Sequence, residues 1–259
     1  MKSMIFAAGL GTRLKPLTDS LPKALVPIGD KPLLEHVARK LKAAGIDEAV
    51  VNVHHFADKI EEWIGADGVN ENGTGLILQV SDERALLLET GGGILHARKY
   101  LQGCGSFLVH NVDILSNLDI NWFASQVRSQ SLATLLVSER ETSRYLLFDP
   151  QTMRLVGWTN VKTGEVKSPY AALQVESCLK LAFSGIHILS DGVFDIMECY
   201  VQEKGLCDQT HSPRFPIIDF YLSVCAEYPI YGVLAENLKM IDVGKLDSLE
   251  QAEKLAQVL

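Results

Sequence analysis

Between Ala7 and Pro32 the chain reads AAGLGTRLKPLTDSLPKALVPIGDKP, and prolines at 16, 22 and 27 forbid a regular helix there, because each lacks an N–H donor and restricts the residue before it. The residues just ahead, Lys2 to Ala8, form a short apolar run of the kind that makes a buried strand. A long irregular arm therefore follows the first strand, and its chemistry is that of an anion site. Gly9 and Gly11 let backbone amides turn inward, Arg13 adds a planar and permanently charged fork, and Lys23 adds a movable point charge. Two familiar phosphate loops are excluded. No G-x-x-x-x-G-K-[ST] run exists, and a G-x-G-x-x-G fingerprint would need glycine where the chain has Leu14. The same leucine argues against a nicotinamide dehydrogenase.

Beyond the arm, Leu33, Leu34, Val37, Ala38, Leu41 and Ala44 share one helical face that Gly45 ends, and Glu48 to Val53 reads as the next strand. This β–loop–α–β start argues for an α/β fold with a mostly parallel sheet flanked by helices. Further strands are expected at Leu76–Val80, Ser106–His110, Ala133–Ser138 and Leu181–Leu189. Helices are expected at Ala57–Ile64, at Asp119–Gln130 with Asp119 as cap and Val127 inward, around Phe194 with Asp191 as cap, at Pro216–Val224 and at Asp247–Val258. From Arg144 to Val166, short runs between turn signals suggest a small antiparallel lobe laid over the sheet, occupying roughly 140–180 of a single domain that spans 1–259.

Four places carry possible chemistry outside the arm. Glu89-Thr90-Gly91-Gly92-Gly93 reads as a flexible approach to a helix N-terminus. Asp113 lies just past a buried strand, where open α/β sheets place ligands, and Asp242 is a second acidic group at a strand end. Gly185, in mid-strand, marks close approach by a ligand or another backbone. Adjacent His54 and His55 point apart on an extended chain and make a poor chelating pair, and His211 reads as an ordinary loop residue. A net charge of −8 argues against a nucleic-acid surface. The five cysteines are odd in number and show no C-x-x-C spacing, so neither a disulfide framework nor a zinc cluster is indicated. With no membrane-length apolar run and no signal peptide, a cytoplasmic protein is expected.

The stretches GLGTRLKPLTDSLPKALVPI, LLETGGGILHA, FLVHNVDIL, FSGIHIL and MIDVGKLDSL together resemble, in order and rough spacing, the sugar-1-phosphate nucleotidyltransferases, in particular their small single-domain uridylyl and guanylyl members. The resemblance implies a Rossmann-like nucleotide-diphospho-sugar transferase fold. It implies Mg²⁺-dependent joining of a nucleoside triphosphate, UTP or GTP, to a sugar 1-phosphate with release of pyrophosphate. On it, Ala8, Gly9, Leu10, Gly11, Thr12, Ser81, Gly92 and Gly93 would meet the nucleotide, Arg13 and Lys23 would serve catalysis, Glu89 and Gly185 would face the sugar phosphate, and Asp113 and Asp242 would hold the metal. The chain departs from the family pattern at Val112, where the motif has glycine, and at Lys245, where threonine is usual. It also lacks the Glu-Lys-Pro whose lysine holds the sugar phosphate, leaving Arg144, Lys162 and Lys167 as possible replacements. A relative that binds a nucleotide sugar without making it is the second reading.

Overall fold

The computed structural model describes residues 1–65, 73–206 and 213–258. Strand β1 (Lys2–Phe6) leads into the arm, which holds only single 3-10 turns and a small β2–β3 hairpin (Pro27–Ile28, Lys31–Pro32) before helix α1 (Leu33–Ala43). Then come β4 (Glu48–Val53), α2 (Ala57–Ile64), β5 (Ile77–Asp82), α3 (Glu89–His96), α4 (Arg98–Leu101), β6 (Ser106–Asn111) and β7 (Ile114–Ser116). Helix α5 (Ile120–Ser125) is capped by Asp119, whose carboxylate accepts from the Trp122 N–H, but it stops short of the expected Gln130 and leaves Val127 exposed. The chain continues through β8 (Ala133–Ser138), β9 (Arg144–Phe148), β10 (Leu155–Asn160), β11 (Glu165–Lys167) and β12 (Leu179–Ser190), then α6 (Val193–Lys204) and α7 (Ile217–Val224). It closes with β13 (Ile230–Leu234), β14 (Met240–Asp242) and α8 (Leu249–Ala256). Asp191 does not cap α6. Its carboxylate accepts instead from the backbone N–H groups of Gly103 and Gly105, at 2.9 and 3.0 Å.

Among the described residues, ten strands hydrogen-bond into one sheet along the path β11-β10-β9-β12-β6-β1-β4-β5, with β8 on β12 and β13 on β8. The segment β6-β1-β4-β5 is parallel throughout. Strands β1, β4 and β6 are buried on both faces, whereas the edge strand β5 is partly exposed, with Ile77 and Asp82 open to solvent. Ile5, Val51 and Leu108 pack toward α1, α2, α5 and α8, while Met4, Val50, Phe107 and Val109 pack toward α3, α6 and α7. That two-sided burial is why β1, β4 and β6 read as largely apolar runs. The antiparallel lobe is not laid over the sheet. Residues 179–181 of β12 pair with β9 and residues 186–190 pair with β6, so one long strand carries the lobe on as a direct extension of the sheet.

Two histidines are buried in this core. His187 shares a 2.6 Å hydrogen bond with the Tyr221 hydroxyl, and His110 has its Nδ1 2.8 Å from the Asn111 carbonyl. Burial pushes their pKa values down to about 3 and about 4. In the unfolded chain both would titrate near 6.5, so as pH falls below that value the unfolded state takes up protons that the folded state refuses. Stability should drop from about pH 6.5 toward pH 4, with a slope approaching roughly 1.4 kcal/mol per pH unit for each histidine. Urea unfolding between pH 7 and 4.5 measures the slope, and replacing His110 or His187 by asparagine should flatten it.

Candidate active site

The arm folds back on itself. Gly11 has φ +64°, and a Cβ there would sit 2.8 Å from the Thr18 methyl and 3.3 Å from the Lys23 Cβ, so only glycine suits the position. Thr18 donates its hydroxyl to the Gly11 carbonyl at 2.8 Å. Leu14, the residue that broke the dinucleotide fingerprint, is fully buried and anchors the arm in the core. A Cβ on Gly9 would meet nothing within 4 Å, leaving open space beside the backbone. A cavity of about 580 Å³ lies there, lined by Ala8, Gly9, Leu10, Gly11, Thr12, Arg13 and Lys23 of the arm and by Asn52, Glu89, Thr90, Asn111, Asp113 and Gly244 from elsewhere. A second cavity, of about 690 Å³ between α1, β7 and α8, contains none of the sequence-predicted site residues.

The two aspartates meet through a short ladder. β14 runs antiparallel to β7 with Asp242 opposite Ile114, and the Val243 N–H donates to the Asp113 carbonyl at 2.8 Å. Gly244 completes the junction, since a Cβ there would lie 2.7 Å from both an Arg13 guanidinium nitrogen and an Asp242 carboxylate oxygen. Arg13 and Asp242 thus converge on one point of the chain. Lys23 is buried and forms an ion pair with Asp113. Val112 tolerates its place because it needs no unusual backbone. Positive φ among non-glycine described residues occurs at Phe56, Glu89, Gln130, Met153 and Asn237, and Val112 packs into the core instead. Lys245 is exposed and opens the last 3-10 turn, with Ser248 donating to its carbonyl at 2.6 Å.

The triple glycine is no flexible loop. Gly91, Gly92 and Gly93 lie buried inside α3, and the N–H groups of Gly91 and Gly92 both donate to the Phe215 carbonyl, at 2.8 and 3.2 Å. Added Cβ atoms would strike the Phe215 ring at 2.3 Å, the Pro213 carbonyl at 2.3 Å and the Glu83 carboxylate at 2.8 Å. Close packing explains all three, and neither Gly92 nor Gly93 lines the cavity. Ser81 does not line it either, being buried on β5 opposite Asn52. Gly185 has φ +73° at the irregularity where β12 shifts register against β8, and a Cβ there would meet the Asn111 amide at 2.6 Å. Gly185 therefore supports Asn111, which reaches the cavity, and is not itself a cavity residue. Glu89 does line it, with φ +62° and its carboxylate 3.3 Å from the Arg214 Nε.

Asn52, Thr90, Asn111 and Gly244 also line the cavity; Thr90, Asn111 and Gly244 fall within the quoted motifs without a role assigned to them, and Asn52 lies outside every motif. Asn52 left a trace: it is a lone amide near the carboxyl end of a run that is otherwise apolar, and a fully buried polar side chain needs partners. None of Arg144, Lys162 or Lys167 reaches the cavity. Lys167 lies 3.5 Å from Asp219 and over the Trp158 ring. The His54 Nδ1 donates to the Glu83 carbonyl at 2.7 Å, as an end-of-strand polar residue would, and His211 falls outside the described residues. The described residues hold no cluster of three or more His, Cys, Asp or Glu suited to a metal, and none of their helices is long and apolar enough to cross a membrane.

A model of the nucleotidyl transferase family matches residues 2–257. Over 111 residues, 43% of this chain and 45% of the relative, the sequence is 48% identical to an N-acetylmuramate alpha-1-phosphate uridylyltransferase of Caulobacter vibrioides. Over 119 residues, 46% of this chain and 49% of the relative, it is 43% identical to the protein of the same description from Neisseria meningitidis. The matched part thus spans about half the length of these curated relatives. Among solved structures, UDP-glucose pyrophosphorylase complexed with UDP-glucose superimposes with a TM-score of 0.74 at 17% identity, covering 99% of this chain and 98% of that one. HddC from Yersinia pseudotuberculosis complexed with GMP-PN gives 0.70 at 22%, covering 98% of each. At these identities the likeness speaks to the fold.

Proposed function

This chain belongs to the nucleotidyl transferase family, and from that premise we propose that it joins a nucleoside triphosphate, UTP or GTP, to a sugar 1-phosphate. A phosphate oxygen of the sugar 1-phosphate attacks the α-phosphorus, the α–β phosphoanhydride bond breaks, and pyrophosphate leaves. The observation that supports this reading is the β7–β14 ladder, which pairs Asp242 with Ile114, next in the chain to Asp113; Asp113 and Gly244 line the cavity beside the glycine arm, while Asp242 lies just outside its lining.

Attacker and target are both anionic, so alignment and charge neutralisation make up most of the catalytic task. Asp113 and Asp242, on paired stretches of backbone, are hard oxygen donors, and Asp113 already attracts a cation, the Lys23 ammonium. That donor set fits Mg²⁺, which is commonly held by one or two carboxylates with substrate phosphates and water. When bound, Mg²⁺ supplies positive charge between the reacting phosphates. Asp113 and Asp242 would hold it. Arg13 neutralises charge gathering on the departing pyrophosphate, and Lys23, freed from Asp113, braces the phosphate under attack. The open space beside Gly9 admits phosphate oxygens to the backbone amides of the arm. Glu89 stands at the rim as a contact for the sugar. A binding protein without turnover is the second reading, favoured by one observation: no lysine or arginine of the antiparallel lobe reaches the cavity.

The test is pyrophosphate release from four nucleoside triphosphates paired with several sugar 1-phosphates and phosphocholine. Turnover with UTP or GTP and a sugar 1-phosphate, abolished by a chelator and restored by Mg²⁺, is expected. Tight binding of a nucleotide sugar with no turnover from any pair would establish the second reading, and neither binding nor turnover would overturn both.

A further inference from the structure

Glu83 is 2% exposed and forms no ion pair among the described residues, which is a costly position for a carboxylate. Burial pushes its pKa up, so the fold gives up free energy to keep an acid there. Its two oxygens are both occupied. Oε1 accepts from the Asn52 side-chain amide at 2.8 Å, and Oε2 accepts from the Leu88 N–H at 3.2 Å, just ahead of α3. Asn52 faces the other way with its oxygen, which accepts from the Ala7 N–H at 2.7 Å and the Ala8 N–H at 3.4 Å. Ala7 and Ala8 are the first residues of the phosphate arm, immediately ahead of Gly9.

An asparagine amide has an oxygen end and a nitrogen end of nearly the same shape, and only its partners decide which end points where. Here the decision rests with Glu83. A carboxylate can accept on both oxygens, so it fixes the Asn52 nitrogen toward itself and the Asn52 oxygen toward the arm. Glutamine at this position could not satisfy both donors, because one of its two ends would present N–H groups either to Leu88 or to Asn52. Gly93 leaves the room this requires, since a Cβ there would lie 2.8 Å from Glu83 Oε1 and 3.3 Å from the Asn52 nitrogen.

We infer that Glu83 is a positioning residue for the triphosphate: acting through Asn52, it fixes the peptide planes at Ala7 and Ala8 and so aims the arm that follows. Glu83 touches no substrate and takes no part in the chemistry. The inference rests on the function proposed above. It also accounts for the third glycine of α3, which makes space for the relay.

The decisive experiment compares wild type, Glu83→Gln, Asn52→Asp and the double variant, using equilibrium binding of UTP and GTP and steady-state pyrophosphate release. Glu83→Gln should raise KM and Kd for the triphosphate about tenfold, with kcat and the sugar 1-phosphate KM changed far less. The double variant reverses the polarity of the relay without leaving a group unpaired. Its new carboxylate, on β4, would accept from the arm and from the nitrogen of the new amide, while the oxygen of that amide would accept from Leu88. It should therefore recover most of the loss, which damage to packing alone would not allow. Unchanged triphosphate affinity in Glu83→Gln, or a double variant no better than the single ones, would overturn the relay. Wild-type protein that neither binds nor turns over either triphosphate would instead overturn the proposed function, and the relay's purpose with it.

Discussion

Replacing Asp242 by asparagine is expected to lower pyrophosphate release by roughly 10²–10³-fold, the loss typical of removing one group that stabilises transition-state charge, while leaving the melting temperature unchanged. The second half of that expectation comes from its surroundings. Asp242 is exposed and forms no ion pair among the described residues, and its backbone bonds within the β7–β14 ladder do not depend on its carboxylate. Asparagine keeps the shape and discards the charge, so a thermal melt and a turnover assay on one preparation give the result. Near-normal turnover by this variant would remove Asp242 from the chemistry and leave the ladder as architecture.

Asp113 should behave differently, because it is already engaged. Its partner Lys23 has only 9% of its side chain exposed, against 20% for Asp113 itself. Asp113→Ala is therefore expected to cost at least the same 10²–10³-fold in rate and also roughly 1.5–3 kcal/mol of stability, since an ammonium group is left in a mostly dry place without its acceptor. Lys23→Met combined with Asp113→Ala should be less destabilised than the two single losses suggest, with a coupling of roughly 0.5–3 kcal/mol in urea unfolding. Additive losses would show that the pair contributes little beyond its separate contacts. Stability thus separates the aspartate that a lysine holds from the one that stands free, although both serve the same proposed ion.

Much of this site is legible in the sequence alone. The arm announces itself because prolines and glycines act locally: they dictate backbone behaviour whatever packs around them, and Gly11 with φ +64° is where the sequence required it. Asp113 and Asp242 are legible as acids at strand ends, but only the family resemblance singles them out from turn and cap residues, and the ladder brings their backbones together. The triple glycine misleads for an instructive reason. Absence of a side chain signals that something comes close, but not what comes close, and here the visitors are Phe215, Pro213 and Glu83 of the same chain. The same ambiguity applies to Gly185, whose neighbour is Asn111. The pairing of Glu83 with Asn52 is illegible because it lies in hydrogen bonds between separate segments: Asn52 shows only as a lone amide in an apolar run, Glu83 is one of four consecutive polar letters from Ser81 to Arg84, and neither carries a sign of its partner. The lobe reads as antiparallel but is misplaced, since nothing in short alternating runs reveals that a single long strand, β12, joins it edge to edge with the parallel sheet.

The short ladder between β7 and β14 has a further consequence for how the molecule comes into being. Its strands are separated by most of the antiparallel half of the protein, so their pairing closes one of the chain's longest loops, and contacts of that span form late in folding. On the proposed function, a nascent chain halted before Met240 would already own the arm, Lys23 and Asp113, yet would lack Asp242 and is expected to be inert. Enzymatic competence would then arrive in one step with the final closure, making turnover a sensitive gauge of whether refolding has run to completion.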